Sequence, residues 1–286
     1  MSDTPRVDIV VRTKNRPQFL ARALDDILAQ EYPHWQLIIV NDGGDPVQAE
    51  VARRPGLEGR FTLLDLPESL GRGGAVMPGI EAGHSPYIAI HDDDDTWHPQ
   101  FLTRTIQHLQ STDDVAVSVR TEIVWETPAL QETGREPFHP FMQEPTYFDL
   151  LRFNHVVPIS LLYRRCVLDT IGFDQRLRSV SDWDVNLQLW GLGSVGFLNG
   201  EPLAYWHQRR SADGDAANSV IAEPESHQLH DRRVRDEALR QYVDVHGSGD
   251  LLFLAKYVEE RMQEINGRLD RVQQRYDEIS RLLRDR

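Results

Sequence analysis

The chain has little cysteine, no long apolar stretch and no block of basic residues. Its 286 residues include one cysteine, Cys166, so no intrachain disulfide can form, which fits a reducing compartment. Cys166 stands among apolar residues and is expected to be buried. No apolar run approaches the roughly 20 residues that a membrane-spanning helix needs, and residues 1–6 are polar, unlike a signal peptide. We expect a cytoplasmic protein, with peripheral attachment to the inner face of a membrane left open.

The charge balance is strongly acidic, with 45 Asp and Glu against 31 Lys and Arg and a formal net charge of −14. This balance argues against nucleic acid as the main partner, because a phosphate backbone requires clustered Lys and Arg. A small phosphorylated ligand is still compatible, since a bound metal supplies local positive charge. The length suits one large domain or two small ones.

The first hundred residues alternate strand and helix patterns. Apolar, β-branched runs predict strands at 7–11, 36–40, 60–64 and 87–90, and helical spacing predicts helices at 17–30 and 74–82. The alternation predicts an α/β fold with a parallel sheet and right-handed crossovers. The loops after three of these strands, at 12–15, 41–44 and 92–95, should therefore meet at one edge of the sheet.

The second half of the chain is less regular. Strand patterns occur at 115–125, 159–163, 195–198 and 203–206, and residues 182–192 have helical spacing. Residues 128–145 are expected to form an irregular loop, and the small polar residues 208–220 a flexible lid. From Val258 to Leu283, apolar residues recur at alternating spacings of 4 and 3. This heptad pattern predicts a coiled-coil helix, with a single amphipathic helix folded back on the chain as the alternative.

The most informative motif follows the fourth predicted strand. Residues Ile88 to Ile90 are apolar, and after His91 come four consecutive aspartates, Asp92 to Asp95. Carboxylates 4 Å apart repel each other by about 1 kcal/mol per pair even in water, and a cation would relieve this. Ligands of open α/β sheets bind at the carboxyl ends of the strands. The motif therefore predicts a divalent-metal site for a phosphate-bearing ligand, with a solvated acidic turn as the alternative.

Several segments resemble the inverting glycosyltransferases of family 2. They are VVRTKNRP at 10–17, IIVNDG at 38–43, HDDDDTWHP at 91–99, LLYRR at 161–165, IGFD at 171–174, SDWD at 181–184 and LAYWH at 203–207. The resemblance covers about residues 5 to 220 and implies a GT-A fold, a Rossmann-like α/β sheet with helices on both faces. Here a C-terminal helical and coiled-coil extension would follow it.

The resemblance also implies a reaction and its cofactor. The enzymes of this family move a sugar from a nucleotide-diphosphate donor to an acceptor hydroxyl with the help of a divalent metal. For this chain we expect UDP-sugar as the default donor, dTDP- or GDP-sugars as alternatives, and Mn²⁺ or Mg²⁺ as cofactor, because hard oxygen ligands suit these ions. Synthesis of a bacterial surface or secreted glycan is the expected role.

The same resemblance assigns roles to individual residues. Asp94 matches the direct metal ligand, Asp92 and His207 would complete the metal sphere, and the additional Asp95 leaves the register open by one residue. Asp182 matches the general base at the start of a helix, with Asp184 as the fallback. The positions expected to bind the donor or acceptor are Thr13, Asn15, Asp42, Arg72, Asp92, Asp93, Trp183, Arg209 and Arg210. Among these, Asp42 and Thr13 would line the base pocket, and the arginines would face the diphosphate.

We expect a GT-A domain over residues 1–222, with a nucleotide-binding half at 1–100 and an acceptor half with the flexible loop at 101–222. The C-terminal helices at 223–286 would end in a coiled coil that forms a homo-oligomer. Two other interpretations are open. Asp92, Asp94 and Thr96 also fit the Asp-x-Asp-x-Thr signature of haloacid-dehalogenase-type phosphatases, with Asp92 as nucleophile and Asp94 as acid. Ser181, where the family usually has Glu, would also fit an inactive domain that serves as a coiled-coil scaffold.

Overall fold

The computed structural model describes residues 4–174, 181–209 and 224–284. The chain divides into two compact units, Met1–Asp231 and Arg232–Arg286. The strands of the first unit are β1 Val7–Thr13, β2 Trp35–Asn41, β3 Phe61–Asp65, β4 Tyr87–Asp92, β5 Thr96–Trp97, β6 Ala116–Val119, β7 Thr121–Glu126, β8 Glu132–Pro137, β9 Leu161–Arg164, β10 Val195–Leu198 and β11 Ala204–Gln208. Its helices are α1 Pro17–Leu28, α2 Gln48–Ala52, α3 Gly71–Gly74, α4 Val76–Ala82, α5 Phe101–Ser111, α6 Tyr147–Arg152, α7 Arg165–Leu168 and α8 Ser181–Leu192.

The strands form two sheets. The larger sheet has seven strands in the order β10-β6-β9-β4-β1-β2-β3. Strands β3, β2, β1 and β4 are parallel, as the sequence predicts, whereas β9 runs antiparallel to its neighbours β4 and β6. The smaller sheet has four strands in the order β5-β11-β7-β8. The predicted α/β class is confirmed.

The central strands are buried on both faces, which explains their continuous apolar sequences. Along β1, Ile9 belongs to the core on the face covered by α1 and α5, and Val10 belongs to the core on the face covered by α4 and α8. Helix α4 comes very close to the sheet at Gly79, where a Cβ atom would stand 2.4 Å from Val10 Cγ1. Only glycine therefore fits this contact without a shift of the helix or the strand.

Strand register brings the three polar loops together at one edge. Arg12 on β1 pairs with Asp92 on β4, and Thr13 pairs with Asn41 on β2. The carboxyl ends of these parallel strands thus meet beside the aspartates, which confirms the prediction that their loops converge. This edge is where an open α/β sheet binds its ligand.

Three predictions of local structure are wrong. Strand β8 lies within the segment predicted to be an irregular loop. Its residues are mostly exposed, and it pairs only with β7, so an apolar pattern was not needed to hold it. Cys166 is exposed rather than buried. Gln208 ends β11 instead of opening a flexible loop, and residues 210–220 of the predicted lid lie outside the described residues.

Beyond residue 223 the structure describes two helices, Pro224–His246 and Gly249–Arg284. The second of them confirms the long helix predicted from the heptad pattern. Between the two, Gly247 has a φ of 75°, and its N–H donates to the carbonyl of Val243 at 2.7 Å. A glycine with positive φ is the usual way to end a helix. No helix in the described ranges is both long and apolar enough to cross a membrane.

Candidate active site

Arginines from β1 and α1 neutralise the aspartates at the end of β4. The Asp92 carboxylate accepts a hydrogen bond from Arg12 Nε at 2.8 Å, and the same guanidinium donates to the backbone carbonyl of Arg72. Register explains the first contact, because Arg12 and Asp92 are partners in the β1–β4 ladder. The second contact ties β1 to helix α3, which contains Arg72.

Asp93 is fully buried and anchors two groups of the β1–α1 segment. Its carboxylate accepts from Thr13 Oγ1 at 2.6 Å and from Arg16 Nε at 3.2 Å. Burial raises the pKa of Asp93 to about 6, although Arg16 opposes the shift. A side chain enclosed in this way positions its neighbours, so Asp93 fixes Thr13 and Arg16 rather than facing a ligand itself.

Asp94 contacts two guanidiniums, those of Arg209 and Arg16. Its Oδ2 accepts from Arg209 at 2.5 Å and lies 3.3 Å from an Arg16 nitrogen. Burial opposes the ionisation of Asp94, but Arg16 and Arg209 outweigh it and lower the pKa to about 2. Asp94 is therefore a carboxylate at any physiological pH, and charge-assisted contacts hold it at the sheet edge.

The fourth aspartate has a different role. Asp95 Oδ1 accepts the backbone N–H of His207 at 2.8 Å, which joins the aspartate turn to β11. Burial raises the pKa of Asp95 well above its ordinary value, and the charges of Asp94 and Asp92 add to this. Asp92, Asp93 and Asp94 thus contact arginines, whereas Asp95 bonds to the backbone of β11.

A second acidic centre, which the sequence analysis did not predict, lies at the end of β7. Glu126 Oε2 accepts from Arg22 at 2.6 Å, and its Oε1 accepts from Arg209 at 2.5 Å. His207 Nδ1 lies 2.9 Å from Glu126 Oε2. Burial would raise the pKa of Glu126, but hydrogen bonds from His207 and Arg22 lower it to about 2. Glu126 thus holds Arg209 from the side opposite Asp94.

The ring of His207 is engaged at both nitrogens. In addition to the Glu126 contact at Nδ1, its Nε2 lies 2.8 Å from Thr96 Oγ1. Burial lowers the pKa of His207, which favours the neutral ring. A neutral imidazole donates at one nitrogen and accepts at the other, so Glu126 and Thr96 satisfy it. For His207 to ligate a metal, one of these contacts would have to break.

The predicted base lies in the first turn of α8. Asp182 Oδ2 accepts from Asn154 Nδ2 at 2.7 Å, and Asn154 Oδ1 in turn accepts from Asn186 Nδ2 at 2.8 Å. Burial raises the pKa of Asp182. The positive charge of Arg12 opposes this shift, and the negative charge of Asp92 adds to it. Asp182 is therefore within electrostatic range of the charges at the aspartate edge. Asp184, the fallback, accepts from Gln188 on its own helix at 2.8 Å.

Two predicted donor-binding residues have structural partners. Asp42 accepts from Ser69 Oγ at 2.7 Å and from the backbone N–H groups of Leu70 and Gly71 at 2.6 and 3.1 Å. It therefore anchors the loop that leads to Arg72. Asn15 has a φ of 53°, and its Oδ1 accepts from the backbone of Asp45 at 2.8 Å. Asn15 shapes the turn after β1.

The three arginines predicted to face the diphosphate differ in what the structure shows of their surroundings. Burial lowers the pKa of Arg72, and the positive charges of Arg12 and Arg16 beside it lower it further. Arg72 thus joins the arginines at the edge. Arg209 was expected in a flexible loop, but it is 1% exposed and fixed between Asp94 and Glu126. Arg210 lies outside the described residues.

Trp183 requires a correction. It was expected to bind the donor or acceptor, but it is 3% exposed, and its indole N–H donates to the carbonyl of Leu150 at 2.7 Å. Its ring belongs to the packing between α6 and α8. Its place on α8, one residue after Asp182, suggested a ligand contact, whereas the helix turns it inward.

Four members of the ion-pair network, Arg12, Arg16, Arg22 and Glu126, were not predicted from the sequence, and neither was Asn154, which bonds to Asp182. Arg12 carried a signal, because it belongs to the first polar loop of the converging edge, residues 12–15. Glu126 carried none, since it contacts Arg209 and Arg22 across 83 and 104 residues of sequence. Contacts at such separations depend on the fold.

The side chains at this edge suit a hard divalent cation only in part. Within the described ranges, no group of three or more His, Cys, Asp or Glu side chains is placed to hold a metal ion. Mg²⁺, however, is commonly bound through one or two carboxylates together with substrate phosphates and waters. Asp92 and Asp94, whose side chains are 20% and 14% exposed, match that pattern, whereas Asp93 and Asp95 are enclosed.

Comparison with known proteins identifies the family of the chain. The family model described as Glycosyl transferase family 2 matches residues 8–172. An uncharacterized glycosyltransferase of Bacillus subtilis, YwdF, is 29% identical over 188 residues, which are 64% of this chain and 67% of the relative. WcaA of Escherichia coli, a putative colanic acid biosynthesis glycosyl transferase, is 25% identical over 195 residues, 66% of this chain and 67% of the relative.

Solved structures share the fold at low identity. S. aureus TarS 1-349 in complex with UDP-GlcNAc is 15% identical with a TM-score of 0.60, over 85% of this chain and 75% of that chain. The mannosyltransferase PcManGT of Pyrobaculum calidifontis, in complex with GDP-Man and Mn²⁺, is 19% identical with a TM-score of 0.54, over 71% of this chain and 57% of that chain. The family match sets aside the phosphatase interpretation. The chain belongs to glycosyl transferase family 2 and is a glycosyltransferase of GT-A type.

Proposed function

We propose that the chain transfers a sugar from a nucleotide-diphosphate donor to an acceptor hydroxyl with inversion at the anomeric carbon, and that Asp182 is the general base. The carrying observation is the position of Asp182. Its carboxylate is buried, it accepts from Asn154 at 2.7 Å, and the charges of Arg12 and Asp92 act on its pKa. We therefore assign the base and the arginine-lined edge to one site.

The geometry supports a base for two reasons. Inversion needs one group that takes the acceptor proton while the hydroxyl oxygen attacks opposite the leaving group. Burial raises the pKa of Asp182, which increases its affinity for that proton. The Asn154 hydrogen bond, itself fixed by Asn186, orients the carboxylate. Asp182 is therefore both positioned and tuned for proton transfer.

The arginines would receive the departing diphosphate. Negative charge grows on the leaving group as the glycosidic bond breaks, and preorganised cations at that point stabilise the transition state. Arg16, Arg72 and Arg209 lie around Asp94, and guanidiniums bind phosphate oxygens in bidentate geometry. Asp93 and Glu126 hold two of them in place.

A divalent cation, Mn²⁺ or Mg²⁺, would be held by Asp94 and Asp92 together with donor oxygens. When bound, it would supply a Lewis acid that neutralises charge on the diphosphate. The Mn²⁺ in the PcManGT complex supports this cofactor. We leave His207 out of the proposed ligand set because both of its ring nitrogens have other partners.

We propose a UDP-sugar as the default donor and bacterial polysaccharide synthesis as the role, with residues 1–222 as the catalytic domain. The TarS complex with UDP-GlcNAc supports UDP, and the GDP-Man complex keeps GDP as an alternative. The similarity to WcaA, which is named for colanic acid biosynthesis, supports the glycan class. The proposed compartment is the cytoplasm, which the single cysteine fits.

The test separates binding from transfer. Thermal shifts with UDP, GDP and dTDP, each with and without Mn²⁺, identify the nucleotide, because a ligand that binds the folded state raises Tm by mass action. Slow hydrolysis of the matching nucleotide sugar then reports chemistry with water as the acceptor. Asp182→Asn should keep the nucleotide shift and lose hydrolysis by roughly 100-fold or more.

Asp184→Asn, on the same helix turn, is the matched comparison and should retain hydrolysis. Undiminished hydrolysis by Asp182→Asn would remove Asp182 as the base, and a loss confined to Asp184→Asn would move the role there. If no nucleotide shifts the wild type and no nucleotide sugar is hydrolysed, the inactive-scaffold interpretation replaces this proposal.

A further inference from the structure

The helix Gly249–Arg284 carries a continuous stripe of exposed apolar side chains, which we call the seam. Its members are Val258, Met262, Ile265, Leu269, Val272, Tyr276 and Ile279, and they are between 49% and 65% exposed. Single exposed apolar residues are ordinary on protein surfaces, but a contiguous stripe marks an interaction surface. The alternating spacing of 4 and 3 keeps the seam on one side of the helix.

We propose that the seam packs against the seams of other copies of this chain in a parallel coiled coil of three or four strands. The spacing assigns the a positions to Met262, Leu269 and Tyr276, and the d positions to Val258, Ile265, Val272 and Ile279. The repeat is unbroken through these residues, so copies in the same register can match along its whole length.

The residue types at a and d indicate the number of strands. In parallel coiled coils, β-branched residues at a with Leu at d favour dimers, whereas Leu at a with Ile at d favours trimers and tetramers. Every d position from Val258 to Ile279 is Val or Ile, and no a position in this stretch is β-branched. The pattern is therefore the one that disfavours a two-stranded coil.

The flanking charges indicate the orientation. The g positions are Arg261, Arg268 and Arg275, and the e positions are Glu259, Asn266 and Gln273. In a parallel coil each g residue faces an e residue of the neighbour, so Arg261 meets Asn266 and Arg268 meets Gln273. In an antiparallel coil g faces g, which would set arginines against arginines. Partner orientation is commonly decided at these positions.

Features of the helix Gly249–Arg284 itself support its packing against the same helix of another copy. Gly267 lies in its interior, where glycine weakens a helix, and helices in proteins gain most of their stability from packing of an apolar face. Glu264 forms ion pairs with Arg261 at 2.7 Å and with Arg268 at 2.6 Å along the same helix. These pairs hold two g-position guanidiniums beside the seam, where they can cover its edge without like charges meeting.

The mass of the full chain in solution tests the assembly. Three chains of 32.9 kDa give about 99 kDa and four give about 132 kDa, measured by sedimentation equilibrium. Ile265→Asp with Val272→Asp places charges in the seam and should yield the monomer. The control, Gln263→Asp with Gln274→Asp, adds the same charges outside the seam and should keep the assembled mass.

Each other outcome contradicts a part of the proposal. A monomeric wild type, or a seam variant that keeps its assembled mass, would overturn self-association through the seam. A wild-type mass near that of two chains would overturn the strand number. Tryptophan fluorescence checks folding in every variant, because all six tryptophans lie between residues 35 and 206, outside the helix that is changed.

A crosslinking experiment tests the orientation. Val258→Cys is placed in a Cys166→Ser background and treated with a short bismaleimide. In a parallel coil these cysteines meet at the same level. In an antiparallel one, d positions face a positions, so Val258 faces Tyr276 and the two cysteines are roughly 27 Å apart at 1.5 Å per residue. Crosslinked chains are expected, with Gln263→Cys as the control outside the seam. Absence of crosslinks between assembled Val258→Cys chains would overturn the parallel arrangement.

Discussion

Replacing Glu126 by glutamine should destabilise the α/β unit far more than any surface glutamate would. The side chain of Glu126 is 2% exposed and has Arg22, His207 and Arg209 as partners. The amide keeps the shape but removes the negative charge. Arg209, whose side chain is fully buried, then loses one of its two anions.

The size of the effect follows from the depressed pKa. A pKa of about 2 for Glu126, against an ordinary 4.5, corresponds to about 3 kcal/mol of stability at neutral pH, since a tenfold change in proton affinity is about 1.4 kcal/mol. Breaking one side of a buried ion pair typically costs about 3–5 kcal/mol, which agrees. Because the folded pKa is lowered, this stability is present above about pH 4.5 and is lost as the pH falls toward 2.

Urea unfolding followed by tryptophan fluorescence measures the loss, since every tryptophan lies between residues 35 and 206 and reports on the α/β unit. The control is Glu132→Gln on β8, whose ion pair with Arg135 is half-exposed, screened by solvent and expected to contribute much less to stability. The difference between wild type and Glu126→Gln should shrink as the pH falls from 5. Equal losses in the two variants would refute the buried network.

Two further predictions concern packing and the base. Gly79→Ala should cost about 1–3 kcal/mol of stability, measured by urea unfolding, because its Cβ would stand 2.4 Å from Val10 Cγ1. Gly172→Ala is the control, since a Cβ at Gly172 would have no atom within 4 Å. Equal losses of stability in the two variants would contradict the close approach of α4 to the sheet. Asn154→Ala removes a donor from the Asp182 carboxylate, which raises the pKa of Asp182 further. The acid limb of the rate–pH profile should then move to higher pH with nucleotide affinity unchanged, and an unmoved limb would mean that Asn154 does not position the base.

The strands could be predicted from the sequence wherever burial requires a continuous run of apolar residues. Strands β1, β2 and β4 are buried on both faces and read as unbroken apolar runs, and the polar residues that follow them marked the converging edge. Strand β8 could not be found in this way, because an exposed edge strand is held by pairing with β7 and not by apolar side chains. The different contacts of Asp92 to Asp95 could not be predicted from the sequence either. Asp95 differs from the other three because it accepts the backbone N–H of His207, which lies on β11.

The site was predicted where its residues follow strands and missed where they meet across the fold. Asp182 and Asp94 stand in motifs that family resemblance could align. Arg209 resembled a loop residue because its burial depends on Glu126 and Asp94, 83 and 115 residues away. An ion pair between residues so far apart in the sequence produces no periodic sequence pattern. Trp183 was wrongly predicted to contact a ligand because its position on the helix turns its side chain toward the protein interior.

The ion pairs of the site balance one another, although the charge of the chain as a whole is not balanced. Its ion pairs join the four carboxylates of Asp92, Asp93, Asp94 and Glu126 to the four guanidiniums of Arg12, Arg16, Arg22 and Arg209. Opposite charges in contact leave little field beyond about 10 Å in ordinary salt, whereas the net charge of −14 repels an anion from further away. An anionic nucleotide thus travels against repulsion until it reaches the arginines, so raising the ionic strength accelerates its capture instead of slowing it.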